Sequence, residues 1–295
     1  FAGDGRLVAS SGVDGSVVVW DPESLTRRLD FDADDLRAGP IAVDAAGERV
    51  AAAQFDGTVA ILNLADARAS LAPGRHTAPC TCVAFGPGGR TVISAGEDAT
   101  VRVASLVGGE ERTLRGSSGT FQSLGISGDG RTIVAGTDRG TLMRWRLPTE
   151  RGRSSQVDRS PVRAVDVSED GRIVVAGTEA GKLQLQRIAD ADADGEAEVA
   201  WTVTAHPGPV TDVSLHPNGE RVITASNEGL LRLWNAADGT PLGTWRHVRR
   251  ESDGAETRLP IWTATFDPTG RWILFGDDTG QLVKLPFDLE APFGN

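Results

Sequence analysis

HPGPVTDVSLHPNGERVITASNEGLLRLWN, residues 206–235, contains two turn glycines ten positions apart, each followed by an apolar run. Gly219 follows an asparagine, and Gly229 follows a glutamate. Two-residue hairpin turns require a positive φ, which glycine and asparagine accept. The runs after these turns are aliphatic or β-branched, so they predict short antiparallel strands.

The same spacing recurs along the whole chain. The first turn glycines are Gly5, Gly47, Gly89, Gly130, Gly171, Gly219 and Gly270, at steps of 42, 42, 41, 41, 48 and 51 residues. A second turn position follows each of them by ten residues, at Gly15, Gly57, Ala99, Gly140, Gly181, Gly229 and Gly280. Each unit therefore predicts four antiparallel strands, a to d, in about 40 residues, which is typical of a β-propeller blade.

Three segments resemble WD repeats: SGVDGSVVVWD (11–21), HTAPCTCVAFGPGGRTVISAGEDATVRV (76–103) and the segment 206–235. The resemblance implies an all-β, seven-bladed β-propeller of the WD-repeat type, with four-stranded antiparallel blades, in a single domain over residues 1–295. The expected blades are approximately 1–31, 36–72, 76–115, 120–157, 160–203, 206–247 and 259–290.

The two ends of the chain depart from the repeat. Phe1 aligns with Phe85, the last residue of strand a, and no turn with a further strand follows the run 281–285. The first strand and the closing strand are therefore expected to be incomplete. Resemblance to the circular closure of WD propellers implies that the closing strand comes from upstream sequence in a longer protein.

The resemblance also implies a buried hydrogen-bond network joining a histidine before strand a, a hydroxyl in strand b, an aspartate before the second turn and a tryptophan in strand c. Its expected members are His206, Thr224, Glu228 in place of aspartate, and Trp234 in blade six; His76, Ser94 and Asp98 in blade three; and Ser10, Asp14 and Trp20 in blade one. Blades five and seven are expected to have none. His216 and His247 are expected to be solvated.

The segment DADADGEAE, residues 190–198, has the alternating acids of a calcium loop. Asp190, Asp192, Asp194 and Glu198 occupy positions one, three, five and nine of such a loop, whose hard oxygen ligands suit calcium. The twelfth position is Trp201 instead of the usual bidentate glutamate. A calcium site and a solvated acidic loop both stay open, and no other cofactor is predicted.

Two further features predict a surface for a partner. Residues at equivalent places near the start of strand a vary between blades, and tryptophan and arginine are frequent binding hot spots. An insertion at 246–260 is rich in arginine on an otherwise acidic protein and would steer an anionic peptide. The predicted contact residues are Gln122, Arg163, Thr211, Trp262, Arg246, Arg249 and Arg250.

The bulk properties exclude several classes. The formal net charge of −11 argues against a nucleic-acid partner, because a polyanion would be repelled. No apolar run approaches the length of a membrane span, so no membrane partner is predicted. Cys80 and Cys82 are expected to be buried thiols in a reducing cytosol, so a cytoplasmic location is expected. The sequence contains no HExxH or GxSxG motif and no pair of CxxC motifs, so no catalytic residue is predicted and the protein is not expected to be an enzyme.

Two functional hypotheses follow. The first is a non-catalytic scaffold or sensor for a protein or peptide, since the chain resembles the C-terminal propellers of bacterial signalling proteins such as STAND-type NTPases and serine/threonine kinases. Upstream domains of the same polypeptide are then implied. The alternative is an enzyme or small-ligand-binding propeller with a metal or ligand site in its central channel.

Overall fold

The computed structural model describes residues 1–295 except 1, 4, 13, 32–37, 117–118, 148, 150, 190–195, 251–255 and 290–295. These described residues form 28 β-strands and one short 3-10 helix at Pro87–Gly89. The chain forms two compact units. The first comprises Phe1–Asp138 and Met143–Ser154, and the second comprises Arg139–Leu142 and Ser155–Asn295.

The first unit holds all or most of fifteen strands. They are β1 (Val8–Ser11), β2 (Val17–Trp20), β3 (Arg27–Phe31), β4 (Ala38–Val43), β5 (Arg49–Gln54), β6 (Val59–Asn63), β7 (Ala69–Leu71), β8 (Cys80–Phe85), β9 (Thr91–Gly96), β10 (Thr100–Ser105), β11 (Glu111–Arg115), β12 (Phe121–Ile126), β13 (Thr132–Thr137), β14 (Thr141–Arg146) and β15 (Arg151–Gln156). The sheets have the orders β1-β2-β3, β4-β5-β6-β7, β11-β10-β9-β8 and β12-β13-β14-β15.

The second unit holds the remaining thirteen strands. They are β16 (Val162–Val167), β17 (Ile173–Thr178), β18 (Lys182–Ile188), β19 (Ala197–Thr204), β20 (Val210–Leu215), β21 (Arg221–Ser226), β22 (Leu230–Asn235), β23 (Pro241–Arg246), β24 (Val248–Arg250), β25 (Glu256–Arg258), β26 (Ile261–Phe266), β27 (Trp272–Asp277) and β28 (Leu282–Pro286). Its sheets have the orders β16-β17-β18-β19, β20-β21-β22-β23, β24-β25 and β26-β27-β28.

Each predicted blade is an antiparallel sheet in which consecutive strands are neighbours. The hairpin turns lie at the predicted glycines, with φ of 74° at Gly219 and 71° at Gly229. In the described residues the first sheet has three strands, corresponding to b, c and d, and the last has strands a, b and c. The all-β fold class and the incomplete first and last blades are thus confirmed for the part of the chain that the structure describes.

The core of each unit lies between consecutive sheets. In the second unit, Leu185 of β18 and Val213 of β20 belong to one buried cluster with Trp234. In the first unit, Ile93 of β9 and Trp145 of β14 share another. This packing follows from the alternation of the strands, because every second side chain points toward a neighbouring sheet.

Candidate functional site

The start of strand a is a β-bulge in six blades. In blade two the register shifts between Ala38 and Ile41, and in the other five blades the shift encloses a single residue. The register shifts between Cys80 and Cys82, Phe121 and Ser123, Val162 and Ala164, Val210 and Asp212, and Ile261 and Thr263. The residue inside each shift is Thr81, Gln122, Arg163, Thr211 or Trp262. A bulge re-aims the side chain of its extra residue. The predicted contact positions on strand a are thus bulged ones, and Thr81 is a further bulged position that the sequence analysis missed.

The bulged side chains differ in what they contact. Thr211 Oγ1 donates to the carbonyl oxygen of Ile261 at 2.6 Å, and Thr81 Oγ1 donates to that of Phe121 at 2.7 Å. These hydroxyls link adjacent blades. Gln122 is half-buried, and its amide donates to Thr120 Oγ1 at 3.1 Å.

Two bulged side chains of the second unit are exposed. Trp262 is 55% exposed, whereas tryptophan is highly buried on average. Arg163 is also exposed and forms an ion pair with Glu179 at 2.9 Å. Trp262 and Arg163 are therefore the predicted contact residues of strand a that offer surface to a partner.

The insertion before β26 forms a two-stranded hairpin. Val248 is opposite Arg258, and Arg250 is opposite Glu256. Arg246, Arg249 and Arg258 are exposed. The hairpin thus carries several guanidinium groups immediately before the strand that begins with Ile261 and Trp262.

Two carboxylates connect the first strands of the second unit. Asp212 of β20 accepts hydrogen bonds from the backbone N–H of Ala264 at 2.9 Å and from Thr263 Oγ1 at 2.8 Å, both on β26. Asp166 of β16 accepts one from the backbone N–H of Leu215 at 2.7 Å. Each carboxylate therefore joins its strand to the next blade.

Both carboxylates have a raised pKa. Burial raises the pKa of Asp212 to about 6, although hydrogen bonds from Ala264, Thr263 and Val213 favour the ionised form. Burial also raises the pKa of Asp166 to about 6, against its backbone hydrogen bonds, and the charge of Asp212 acts in the same direction as burial. The sequence analysis missed this pair.

The structure brings together the three polar residues expected in blade three. His76 Nε2 lies 2.8 Å from Ser94 Oγ, and His76 Nδ1 lies 2.9 Å from Asp98 Oδ1. Burial lowers the pKa of His76, and Asp98 opposes that shift. Burial would raise the pKa of Asp98, but hydrogen bonds, from Thr100 above all, hold it at about 2. This arrangement ties the loop before β8 to β9.

Blade six has an incomplete form of the same network. His206 Nε2 lies 2.7 Å from Thr224 Oγ1, which also accepts from Trp234 Nε1 at 3.0 Å. His206 Nδ1 is buried with no hydrogen-bond partner among the described residues. Glu228 therefore does not take the place of aspartate at His206, and its carboxylate lies near Gly208 instead. Burial, reinforced by the charge of Arg232, lowers the pKa of His206 to about 4.

Shortening Glu228 to aspartate is expected to stabilise the protein. Glu228→Asp would place a carboxylate where Asp98 meets His76, and satisfying a buried nitrogen contributes about 1 kcal/mol. Urea unfolding at neutral pH, followed by circular dichroism, measures the change. An unfolding midpoint at or below that of the wild type would show that the carboxylate does not reach His206 Nδ1.

Two other histidines are not solvated as the sequence analysis expected. His216 is 7% exposed, and its Nε2 lies 3.1 Å from the carbonyl oxygen of Gly270. His247 Nε2 lies 2.9 Å from Asp277 Oδ2 in blade seven, and its ring stacks on Trp245. Blade seven thus has a histidine–aspartate pair of its own, where none was expected.

Blade one has a smaller set of contacts. Trp20 Nε1 donates to Ser10 Oγ at 2.8 Å, as expected for this pair. Asp14 instead accepts hydrogen bonds from the backbone N–H and the hydroxyl of Ser16, at 3.0 and 2.7 Å. Its carboxylate therefore fixes the turn between β1 and β2.

Most of the candidate calcium loop lies outside the described residues. Asp190, Asp192 and Asp194 belong to that part, whereas Glu198 is exposed on β19 opposite Arg187. Among the residues that the structure describes, no group of three or more histidine, cysteine or acidic side chains could hold a metal ion. The calcium site stays a prediction.

Comparison with known proteins agrees with the geometry. The family model of the WD domain, G-beta repeat, matches residues 1–21, 72–104 and 197–235. The chain is also similar to the β-propeller domain of Cps50 (Swd1) from Myceliophteria thermophila, with a TM-score of 0.76 and 15% identity over 96% of this chain and 93% of that one. The chain therefore carries WD repeats, and its fold class is the predicted seven-bladed β-propeller.

Curated relatives match over a short segment. The serine-threonine kinase receptor-associated proteins of Homo sapiens, Mus musculus and Bos taurus are 38% identical over 55 residues, which is 19% of this chain. The matched segment is 16% of the length of those relatives. In the described part of this chain, no helix has the length and apolar character needed to cross a membrane.

Proposed function

We propose that this WD-repeat β-propeller is a non-catalytic interaction module that binds a protein or peptide partner through the Trp262 surface. This surface comprises Trp262, Arg163 and the hairpin β24–β25 in the second unit. The observation that carries the proposal is the exposure of Trp262, because an exposed tryptophan on a rigid strand is a favourable binding anchor.

The arrangement of the strands supports this surface. Strands β16, β20 and β26 lie side by side, since Asp166 contacts β20 and Asp212 contacts β26. Their first residues therefore lie at one end of the three sheets, where the hairpin also enters β26. Exposed side chains that a buried framework holds in place lose little conformational entropy when a partner binds, and this favours recognition.

The sign of the charge indicates the kind of partner. The exposed arginines at positions 246, 249 and 258 stand on a protein of formal charge −11. Such a local basic site speeds the association of an anionic peptide segment and disfavours a basic partner. The proposal includes a cytoplasmic location, which the free, buried thiols of Cys80 and Cys82 favour. It also includes upstream domains of a longer bacterial signalling protein, which the resemblance implies.

Substitution of Trp262 tests the proposal. Trp262→Ala is expected to weaken partner binding by about 30-fold, the usual effect of losing a hot-spot tryptophan, with an unchanged unfolding midpoint. Quantitative affinity capture from the organism that encodes the protein, followed by titration of the captured partner, measures this loss. Trp272→Ala is the matched control, because Trp272 is also partly exposed, at 36%, but lies on β27. A set of partners retained by both variants would contradict the proposal.

A further inference from the structure

The first unit contains a groove at the outer strands of blades three and four. Its cavity of about 430 Å³ is lined by Leu114 and Arg115 of β11, Met143 and Trp145 of β14, and Gly152 and Ser154 of β15. We call it the β11–β15 groove. Its volume lies within the range of small-ligand and side-chain pockets.

The floor of this groove is apolar, and its lining includes two glycines, Gly116 and Gly152. Leu114, Met143 and Trp145 are each less than 5% exposed. A Cβ on Gly152 would lie 2.8 Å from Trp145 Nε1, and one on Gly116 would lie 2.7 Å from Phe121 Cζ. Glycine at these two positions therefore keeps the backbone walls close to the aromatic floor without filling the space above it.

Blade five has a tryptophan at the position that Arg112 occupies in blade three. In the second unit, Trp201 of β19 lies opposite Leu185 of β18. The equivalent pair in the first unit is Arg112 of β11 opposite Val103 of β10. Trp201 is buried, and its indole N–H donates to the carbonyl oxygen of Ala236 at 3.1 Å. Arg112, the exposed arginine at this position in blade three, adds a positive charge to the strand that borders the groove.

The indole of Trp145 differs from those of the equivalent tryptophans. Trp20 and Trp234 donate to the hydroxyls of Ser10 and Thr224 in strand b. The corresponding residue of blade four is Ala135, which has no hydroxyl. The N–H of Trp145 can therefore donate to an acceptor on a ligand in the groove, and a buried donor gains most from such a bond.

The strands that border the groove are basic. Strand β11 has the sequence ERTLR and strand β15 the sequence RGRSSQ, so these 11 residues contain four arginines and one acid. The chain as a whole has a formal charge of −11. The local electrostatic potential at the groove is therefore more positive than that of the protein as a whole, and it favours an anionic ligand.

We propose that the β11–β15 groove binds an extended acidic peptide segment, separately from the Trp262 surface. One apolar side chain of the peptide occupies the cavity against Met143 and Trp145. A backbone carbonyl of the peptide accepts from the indole N–H, and neighbouring carboxylates lie near Arg112 and Arg115. The apolar contact and the charges act together, so a peptide that lacks either binds weakly.

The proposal is tested by fluorescence anisotropy with a fluorescein-labelled peptide of about ten residues, which would span one exposed strand. The peptide contains aspartate and glutamate with one central leucine. Control probes replace the acids with asparagine and glutamine, replace the leucine with glycine, or use a short oligothymidylate. The acidic leucine peptide is expected to bind saturably and at least about ten-fold more tightly than each control.

Three variants of the full chain locate the binding. Arg115→Glu, which reverses a charge in the lining, and Arg112→Trp, which removes a charge on the same strand, are each expected to weaken binding about ten-fold. Arg90→Glu makes the same charge change as Arg115→Glu, but in the turn between β8 and β9, and is expected to leave the affinity within about two-fold. If Arg112→Trp does not fold, the difference in peptide affinity between Arg115→Glu and Arg90→Glu tests the proposal.

Several results would overturn the inference. They are an absence of saturable binding, equal binding of the oligothymidylate or of the glycine peptide, retained affinity in Arg115→Glu, and equal loss in Arg90→Glu. Trp262→Ala is expected to bind this peptide like the wild type. Failure of the groove and failure of the Trp262 surface are therefore distinguishable.

Discussion

Replacing Gly181 with alanine is expected to lower the free energy of unfolding by about 3–5 kcal/mol, whereas the same change at Gly280 should cost about 1 kcal/mol. Both glycines occupy the second turn of a blade. Their backbones are nearly identical, with φ of 78° at Gly181 and 76° at Gly280. Any difference between the two variants must therefore come from what surrounds the turn.

The surroundings of Gly181 are crowded by the loop that leads to the next blade. The backbone N–H groups of Ala205 and His206 donate to the carbonyl of Gly181 at 2.7 and 3.0 Å. A Cβ on Gly181 would overlap the carbonyl oxygen of His206 and lie 2.7 Å from that of Gly208. Backbone cannot move aside as a flexible side chain can, so alanine would break the link between blades five and six.

Gly280 is the matched control, because no atom of the described residues lies within 4 Å of the position that an alanine Cβ would take there. Alanine at this turn is penalised only for its left-handed backbone, a conformation that Ala99 already adopts at the equivalent turn with a φ of 59°. Urea unfolding of both variants, followed by circular dichroism, measures the difference. Equal losses of stability would show that the approach of His206 to Gly181 contributes nothing beyond the backbone conformation.

Local turn chemistry explains why the fold could be predicted from sequence. The glycines at 219 and 229 and the apolar runs after them act within a few residues, and their period repeats the same hairpins along the chain. The bulge positions follow from the same period. Thr81 lies eight residues before Gly89, as Trp262 lies eight residues before Gly270, so the spacing could have identified it.

Contacts between residues that an insertion separates from the repeat pattern, or between two blades, could not be predicted in this way. His247 stands 14 residues before strand β26, whereas His206 stands four before β20, because the hairpin β24–β25 intervenes. Its partner Asp277 also lies three residues before its turn glycine, Gly280, and not one. The spacing of the repeat therefore does not predict the His247–Asp277 pair, which the folded structure brings together.

The carboxylate of Asp212 shows the same limit. It meets the backbone N–H of Ala264, 52 residues later, and the hydroxyl of Thr263. Nothing near Asp212 in sequence indicates that an acid on strand a would be desolvated between two blades. Its raised pKa is a consequence of packing, and it has a measurable effect on stability.

Replacing Asp212 with asparagine is expected to change the pH dependence of stability by about 2 kcal/mol between pH 4 and pH 7. The folded-state pKa of Asp212, about 6, lies above the ordinary value of 3.8. The folded protein therefore retains a proton that the unfolded chain has released between these values. The resulting stabilisation is complete below about pH 4 and is lost as the pH rises through 6.

Asparagine cannot ionise, so Asp212→Asn should gain stability relative to the wild type as the pH rises through this window. Urea unfolding of both proteins at several pH values between 4 and 7 gives the difference in free energy. Asp238→Asn is the control, because hydrogen bonds from Thr240 lower the pKa of Asp238 and it titrates below the window. A constant difference between Asp212→Asn and the wild type would mean that Asp212 is ionised throughout, and that its bonds to β26 outweigh its burial.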